Sequence, residues 1–171
     1  MAIDRRSRSV HLAVKDDETE ASARAFLREA LAAFPFRITR ILTDRGSCFT
    51  AEGFEGLCRG LGVEHRKTRP DTPRTNGMTE RFNGRVQREV LGITVAGHGD
   101  LERLLVGFNS AYNARRQRVL DGRSPEEVVA ERLRQEPRLA NPGYQPPPDP
   151  CVVPKALLVV ERAKDVSHPD S

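Results

Sequence analysis

The sequence predicts a mixed α/β domain, and three observations carry that expectation. Short apolar stretches with a two-residue period alternate with longer ones whose apolar residues recur every three to four positions. Clusters of Gly, Pro, Asn and Asp punctuate the boundaries between them. The 171 residues, 37% hydrophobic and 30% charged, are enough for one packed core.

The elements follow in order. In "SVHLAVKD" (9–16), Val10, Leu12 and Val14 alternate with His11, Ala13 and Lys15, the pattern of a half-buried strand. "MAI" before it reads as the end of a preceding strand, and "DRRSR" as the hairpin turn between the two. From Thr19 the apolar residues Ala23, Phe26, Leu27, Ala30, Leu31 and Phe34 define a long amphipathic helix, which Pro35 ends. "RITRILTD" (37–44) is a short buried strand running into Asp44, and a second helix carries Phe54, Leu57, Cys58 and Leu61 on one stripe. "GVEHRKT" is strand-like, and "RPDTPRTNG" (69–77) is expected to be a mobile loop. A helix starting near Asn76 places Met78, Phe82, Val86 and Val90 at steps of four, until "GITVAGHG" breaks it. The next helix has Leu101, Leu104, Leu105, Phe108, Ala111 and Tyr112 at core spacing. "RSPEEVVAERL" opens with Ser124 as N-cap, Pro125 at the first helical position and Glu127 two further on, a capping box. "NPGYQPPPDP" (141–150) reads as extended and polyproline-like, and "KALLVVER" as a late edge strand.

Composition narrows the function classes. The net charge is +4 with a pI near 9.3, and 24 of the 28 basic residues are arginine. That bias suggests a polyanionic partner, since Arg and Lys on phosphates release counterions. An arginine-rich surface from a GC-rich genome explains it equally well, so charge alone decides nothing. No apolar run reaches the roughly 18–20 residues of a membrane span. "MAIDRRSRSV" also lacks a signal-peptide core, so the expected location is cytoplasmic and nucleoid-associated. The odd cysteine count (Cys48, Cys58, Cys151) without C-x-x-C spacing argues against a disulfide framework or zinc ribbon and for buried reduced thiols. The four histidines are scattered and receive no ligand role.

Two carboxylates stand out. Asp44 sits where a strand emerges, with Gly46 allowing a sharp turn, and ligand sites in α/β sheets gather at strand carboxyl ends. Taken alone, Asp44 reads as an ordinary turn former. Glu80, at 100° per residue, points about 160° away from Phe82, on the face opposite the core. Gly84 and Gln87 share that face, Asn83 borders it, and Arg81, Arg85 and Arg88 flank it. A helix-start Glu that favours the macrodipole is the plainer account. It leaves the Pro-Asp-Thr-Pro-Arg-Thr-Asn-Gly arm feeding into this face unexplained.

Taken together, "LTDRGSCFT", the 35-residue gap from Asp44 to Glu80, "RPDTPRTNGMTERFNG" and "FNSAYNARRQRVLDGRSPEE" resemble the catalytic core of retroviral-type integrases and insertion-sequence transposases. These are the D,D-35-E recombinases. The resemblance runs from residue 1 to about 135. It implies a ribonuclease H-like mixed sheet flanked by helices, and DNA integration or transposition by metal-dependent phosphoryl transfer. In the family three carboxylates hold two Mg²⁺ or Mn²⁺ ions, about 3.5–4 Å apart. Asp44 would be the second aspartate and Glu80 the glutamate. Asn76 and Gly77 would lie in the mobile active-site loop. Arg74, Arg81, Asn83, Arg85, Gln87 and Arg88 would meet DNA phosphates as positioning contacts. The implied partners are transposon ends and target DNA, with a homo-oligomer in the full-length protein.

One part departs from the pattern. The family's first aspartate lies on a first strand upstream of a strand like "MAI", and Asp4 reads instead as a hairpin-turn residue. The expectation is therefore a core at 1–135 lacking its first strand, with residues 136–171 as a Pro-rich tail. Such a chain would be inactive by itself in strand transfer. The competing expectation is a non-catalytic DNA-binding or oligomerising remnant; a stand-alone nuclease of the same fold would need the same aspartate.

Overall fold

The chain makes its first turn at Asp4. In this computed structural model, which describes residues 1–68, 73–90 and 97–146, Asp4 Oδ2 accepts from both the backbone N and the Oγ of Ser7, at 2.7 Å each. Asp4 N donates to Ser9 O at 2.8 Å, and Arg8 adopts a left-handed φ of 63°. This turn pairs β1 (Ala2–Ile3) antiparallel with β2 (Val10–His11), Ala2 opposite His11. The Asp4 carboxylate holds the hairpin through Oδ2.

β2 is shorter than the 9–16 stretch expected, because its far edge pairs with a helix instead of a strand. Helix α5 (His98–Ala114) presents Asn109 and Asn113 to it. Asn113 accepts from Val10 N at 2.9 Å and donates to Val10 O at 3.0 Å; Asn109 does the same to Leu12, both at 2.9 Å. Four residues of helix rise about 6 Å and two residues of strand about 6.7 Å, so the two amides match alternate strand residues. Each amide satisfies one N–H and one C=O that an edge strand leaves open.

Helix α1 (Glu20–Ala33) begins where expected: Thr19 caps it by accepting from Ser22 N at 3.3 Å. Leu27 and Ala30 are buried, Leu27 against Phe54 and Cys58. The far end is closed by sequence 110 residues away. Asn141 Nδ2 donates to Leu31 O at 2.7 Å and Phe34 O at 2.8 Å, and Gln145 N donates to Ala32 O at 2.9 Å. Packing therefore continues past residue 135, and Asn141 begins a turn in a segment expected to be wholly extended, with Gly143 N on its Oδ1 at 3.0 Å. The expected strand at 155–162 lies outside the described residues.

β3 (Arg40–Thr43) and β4 (Glu64–Lys67) pair in parallel, Arg40 opposite Glu64 and Thr43 opposite Lys67. Between them run α2 (Ser47–Thr50) and α3 (Glu52–Gly60). The expectation of a buried β3 is corrected: Ile41 and Thr43 are half-buried, whereas Arg40 is exposed and Leu42 is 43% exposed. Only the side toward α3 is covered. On the other side Arg40 and Arg66 both pair with Glu64 at 2.6 Å. Leu61, expected on the α3 stripe, is 46% exposed. Cys58 is buried as expected, but Cys48 is only half-buried, and Ala111 on α5 faces solvent.

Among the described residues the strands form two separate two-stranded sheets, β1–β2 and β3–β4. Each has its own core. Val10, Leu12, Phe82, Val90, Leu105 and Tyr112 make one, and Leu27, Phe54 and Cys58 the other. Helix α4 (Pro73–Glu89) belongs to the first through Phe82, which meets the Tyr112 ring edge-on at 4.9 Å. α4 starts at Pro73, three residues earlier than expected. Proline suits a first helical turn, where its fixed φ is already helical and its missing N–H has no partner to lose. The expected loop 69–77 is thus helical from 73 onward, while 69–72 lie outside the described residues. Helix α6 (Pro125–Gln135) has its full capping box, Glu127 N on Ser124 Oγ at 3.2 Å and Ser124 N on Glu127 Oε2 at 2.7 Å.

Candidate functional site

β3 carries the chain to Asp44, an exposed residue just past the strand's carboxyl end. Its Oδ1 accepts from Gly46 N at 2.8 Å, the turn that a strand-end aspartate is expected to make. A methyl at Gly46 would stand 3.0 Å from that oxygen, so glycine gives the carboxylate its room. Oδ2 has no hydrogen-bond or ion-pair partner among the described residues. The aspartate is thus both a turn residue and an outward-facing carboxylate.

Beneath it lies a chain of polar contacts that the sequence did not announce. Thr43 Oγ1 donates to Asp44 O at 2.8 Å and lies 2.8 Å from His65 Nε2. The His65 side chain is 2% exposed, and its Nδ1 stands 3.2 Å from Glu55 Oε2, close but poorly aligned for a hydrogen bond. Lys67 Nζ reaches the other Glu55 oxygen at 2.7 Å. The Lys67 ammonium, then His65, hold the Glu55 carboxyl below the usual range. Phe54 packs edge-on against the imidazole at 5.2 Å. Alternation on two parallel strands brings Thr43 and His65 to the same side, and α3 supplies Glu55. The available signal was the half-buried register of "RILT" against "EHRK", which becomes legible only once the strands are known to pair.

Glu80 is exposed on α4 while Phe82, two residues on, is 4% exposed. Asp44 and Glu80 stand on elements seated in different cores, and no hydrogen bond or ion pair joins them. Arg81, Asn83, Gln87 and Arg88 are exposed. A methyl at Gly84 would meet Arg88 Nη1 at 3.4 Å, so the Arg88 guanidinium lies back along the helix toward Gly84. Arg85 is half-buried and engaged: its guanidinium sits 5.6 Å from the Tyr112 ring centroid, and its Nε lies 3.2 Å from Glu89. Arg74, Asn76 and Gly77 lie within α4, not in a loop; the side chains of Arg74 and Asn76 fall outside the described residues.

The donor chemistry suits a hard divalent cation, since both candidate ligands are carboxylates. The number does not: no group of three or more Asp, Glu, His or Cys able to hold a metal exists among the described residues. Nor, among them, is any helix long and apolar enough to cross a membrane.

Comparison with known proteins agrees with the architecture. Two family models, both described as integrase core domain, match residues 1–73 and 61–125. The "Retrovirus-related Pol polyprotein from transposon TNT 1-94" of Nicotiana tabacum is 37% identical over 54 residues, 32% of this chain and 4% of that protein. The "Putative transposase InsD for insertion element IS2E" of Escherichia coli is 30% identical over 93 residues, 53% of this chain. The chain thus spans less than half of either relative, 43% at most. The crystal structure of the catalytic core domain of BIV integrase superposes with a TM-score of 0.60 at 25% identity, over 78% of this chain and 86% of that one.

Proposed function

The chain belongs to the integrase core family, with the ribonuclease H-like fold of DDE integrases and transposases, and on that premise we propose that it supplies two of the carboxylates of a core that joins DNA strands. Its family acts in DNA integration and transposition. The carrying observation is Asp44: an exposed carboxylate at the end of a parallel strand, fixed by Gly46 through one oxygen and open at the other.

In this reading Asp44 and Glu80 are the second and third carboxylates of the family's triad. When bound, a pair of Mg²⁺ or Mn²⁺ ions would activate the attacking oxygen and stabilise the leaving one. The chain's own part is to hold two oxygen donors and to seat the DNA backbone. Arg81, Asn83, Gln87 and Arg88, all exposed around Glu80, supply that seat, with Arg74 earlier on α4; these contacts set register and carry no base readout. Arg85, held on Tyr112, contributes less. Transposon ends and target are the proposed DNA partners, and the working assembly is a homo-oligomer.

As it stands, residues 1–171 do not catalyse strand transfer. Two features support this. Among the described residues no group of three ligating side chains forms, and Asp4 holds its hairpin turn through Oδ2. Among the described residues the two sheets also stay separate, with no strand joining β1–β2 to β3–β4. The alternative, a DNA-binding or oligomerising remnant, uses the same basic helix without metal. A strand-transfer assay with Mn²⁺ tests the proposal: no joining is expected from residues 1–171, with DNA binding retained. Joining abolished by Asp44→Asn and by Glu80→Gln would refute the inactivity and keep the assignment of the carboxylates. Joining indifferent to both substitutions would refute the assignment itself.

A further inference from the structure

We propose that His65 is a positioning residue for Asp44, acting through Thr43. The inference rests on the reading of Asp44 as a metal ligand. It starts from a proton count. Thr43 Oγ1 has a single proton and two partners, each at 2.8 Å: the Asp44 carbonyl oxygen and His65 Nε2. A carbonyl oxygen only accepts, so the Asp44 contact takes the hydroxyl proton; with both contacts kept as hydrogen bonds, Nε2 carries a hydrogen and donates to Oγ1. The direction of the whole chain is then fixed: His65 Nε2–H to Thr43 Oγ1, and Thr43 Oγ1–H to Asp44 O.

Burial makes this arrangement selective. The imidazole is 2% exposed and clamped by Phe54 at 5.2 Å, so water does not compete for Nε2. Glu55 on α3 faces Nδ1 at 3.2 Å and is itself fixed by Lys67 of β4 at 2.7 Å. Through Thr43 and His65, β3 and β4 thereby bear on one peptide group, the one that follows Asp44, while Phe54 of α3 packs against the imidazole. On its far side, Gly46 N holds the carboxylate at 2.8 Å. His65 supports the backbone through Thr43, and Gly46 N orients the side chain. A ligand displaced by 1 Å loses much of its value at a metal, which is why such support counts.

Three variants separate positioning from mere packing. Thr43→Val keeps the shape and removes the hydroxyl; His65→Leu fills the space without a donor; His65→Gln restores an N–H near the Nε2 position. Two readouts are taken on the full chain: the ¹³C′ resonance of Asp44, which needs no metal, and Mn²⁺ affinity by titration. Thr43→Val and His65→Leu are expected to move the Asp44 resonance and weaken Mn²⁺ by about two- to tenfold, the weight of one net hydrogen bond. His65→Gln is expected to recover both, although it packs less well than the native ring. An unmoved Asp44 resonance in Thr43→Val, or no recovery in His65→Gln while His65→Leu is impaired, overturns the proposal. Should Asp44→Asn leave Mn²⁺ affinity unchanged, the ligand reading of Asp44 fails, and the carbonyl resonance still decides the positioning claim separately.

Discussion

Asn109 and Asn113 do for β2 what a neighbouring strand would do. Replacing either with alanine removes two hydrogen bonds of 2.9–3.0 Å and exposes an N–H and a C=O of Val10 or Leu12. A net hydrogen bond contributes about 0.5–1.5 kcal/mol, so each substitution should cost about 1–3 kcal/mol. Both asparagines are half-buried, which lets water replace part of the loss and places the effect in the lower half of that range. The double variant should cost about 2–4 kcal/mol, with some coupling because both act on one strand. Against a typical total of about 5–15 kcal/mol that is a large fraction. Asn113→Asp is the sharper test. Its carboxylate can still accept from Val10 N but faces Val10 O with a second acceptor, so it should destabilise more than alanine. Urea unfolding followed by circular dichroism gives the magnitudes, with the midpoint lowered and the slope unchanged. Hydrogen exchange should show Val10 and Leu12 amides losing protection together. Alanine variants within about 0.5 kcal/mol of the parent, with both amides still protected, would refute the strand-mimic reasoning.

Three further outcomes are expected. Burial lowers the α-amino group of Met1 from 8.0 to about 6, so its charged form is disfavoured in the fold. The unfolded chain then binds more protons between pH 8 and 6, and stability falls across that window by no more than about 3 kcal/mol. Urea midpoints at the two pH values measure it. His11, lowered chiefly by burial against Phe26, adds a loss of the same sign as pH falls below its ordinary 6.5; His11→Gln should flatten that part of the profile. On α4, Arg81→Ala and Arg88→Ala should each weaken DNA binding irrespective of sequence and reduce the salt slope by about one counterion, whereas Arg85→Ala should also lower the melting temperature by removing its contact with Tyr112.

What the sequence made legible was local. The hairpin at Asp4, the periodic stripe of α1 from Thr19 onward, and the Ser124–Glu127 capping box each depend on residues within one or two turns. Patterns of that range survive into three dimensions with little outside influence. What stayed hidden depended on distant partners. "SVHLAVKD" has the alternation of a long strand, yet its length is limited by amides about a hundred residues away on α5. The stripe of "RITRILTD" promised burial, but only its α3 side is covered, and Leu42 remains open. Proline, glycine and asparagine at 73–77 suggested a loop, although Pro73 is well placed to start a helix, and that extends α4 backwards under Asn76 and Gly77. At the candidate site, spacing and resemblance singled out Asp44 and Glu80. His65 and Thr43 were not, because a histidine within a short charged strand gives no sign of the buried contact it makes.

The most direct test of the central claim is paramagnetic. With one equivalent of Mn²⁺ added to the chain, the amide signals of Asp44 and Glu80 should broaden together, and either Asp44→Asn or Glu80→Gln should weaken the broadening at both positions. Broadening at one carboxylate alone, or at neither, would show that the two side chains do not share a cation and would contradict the account.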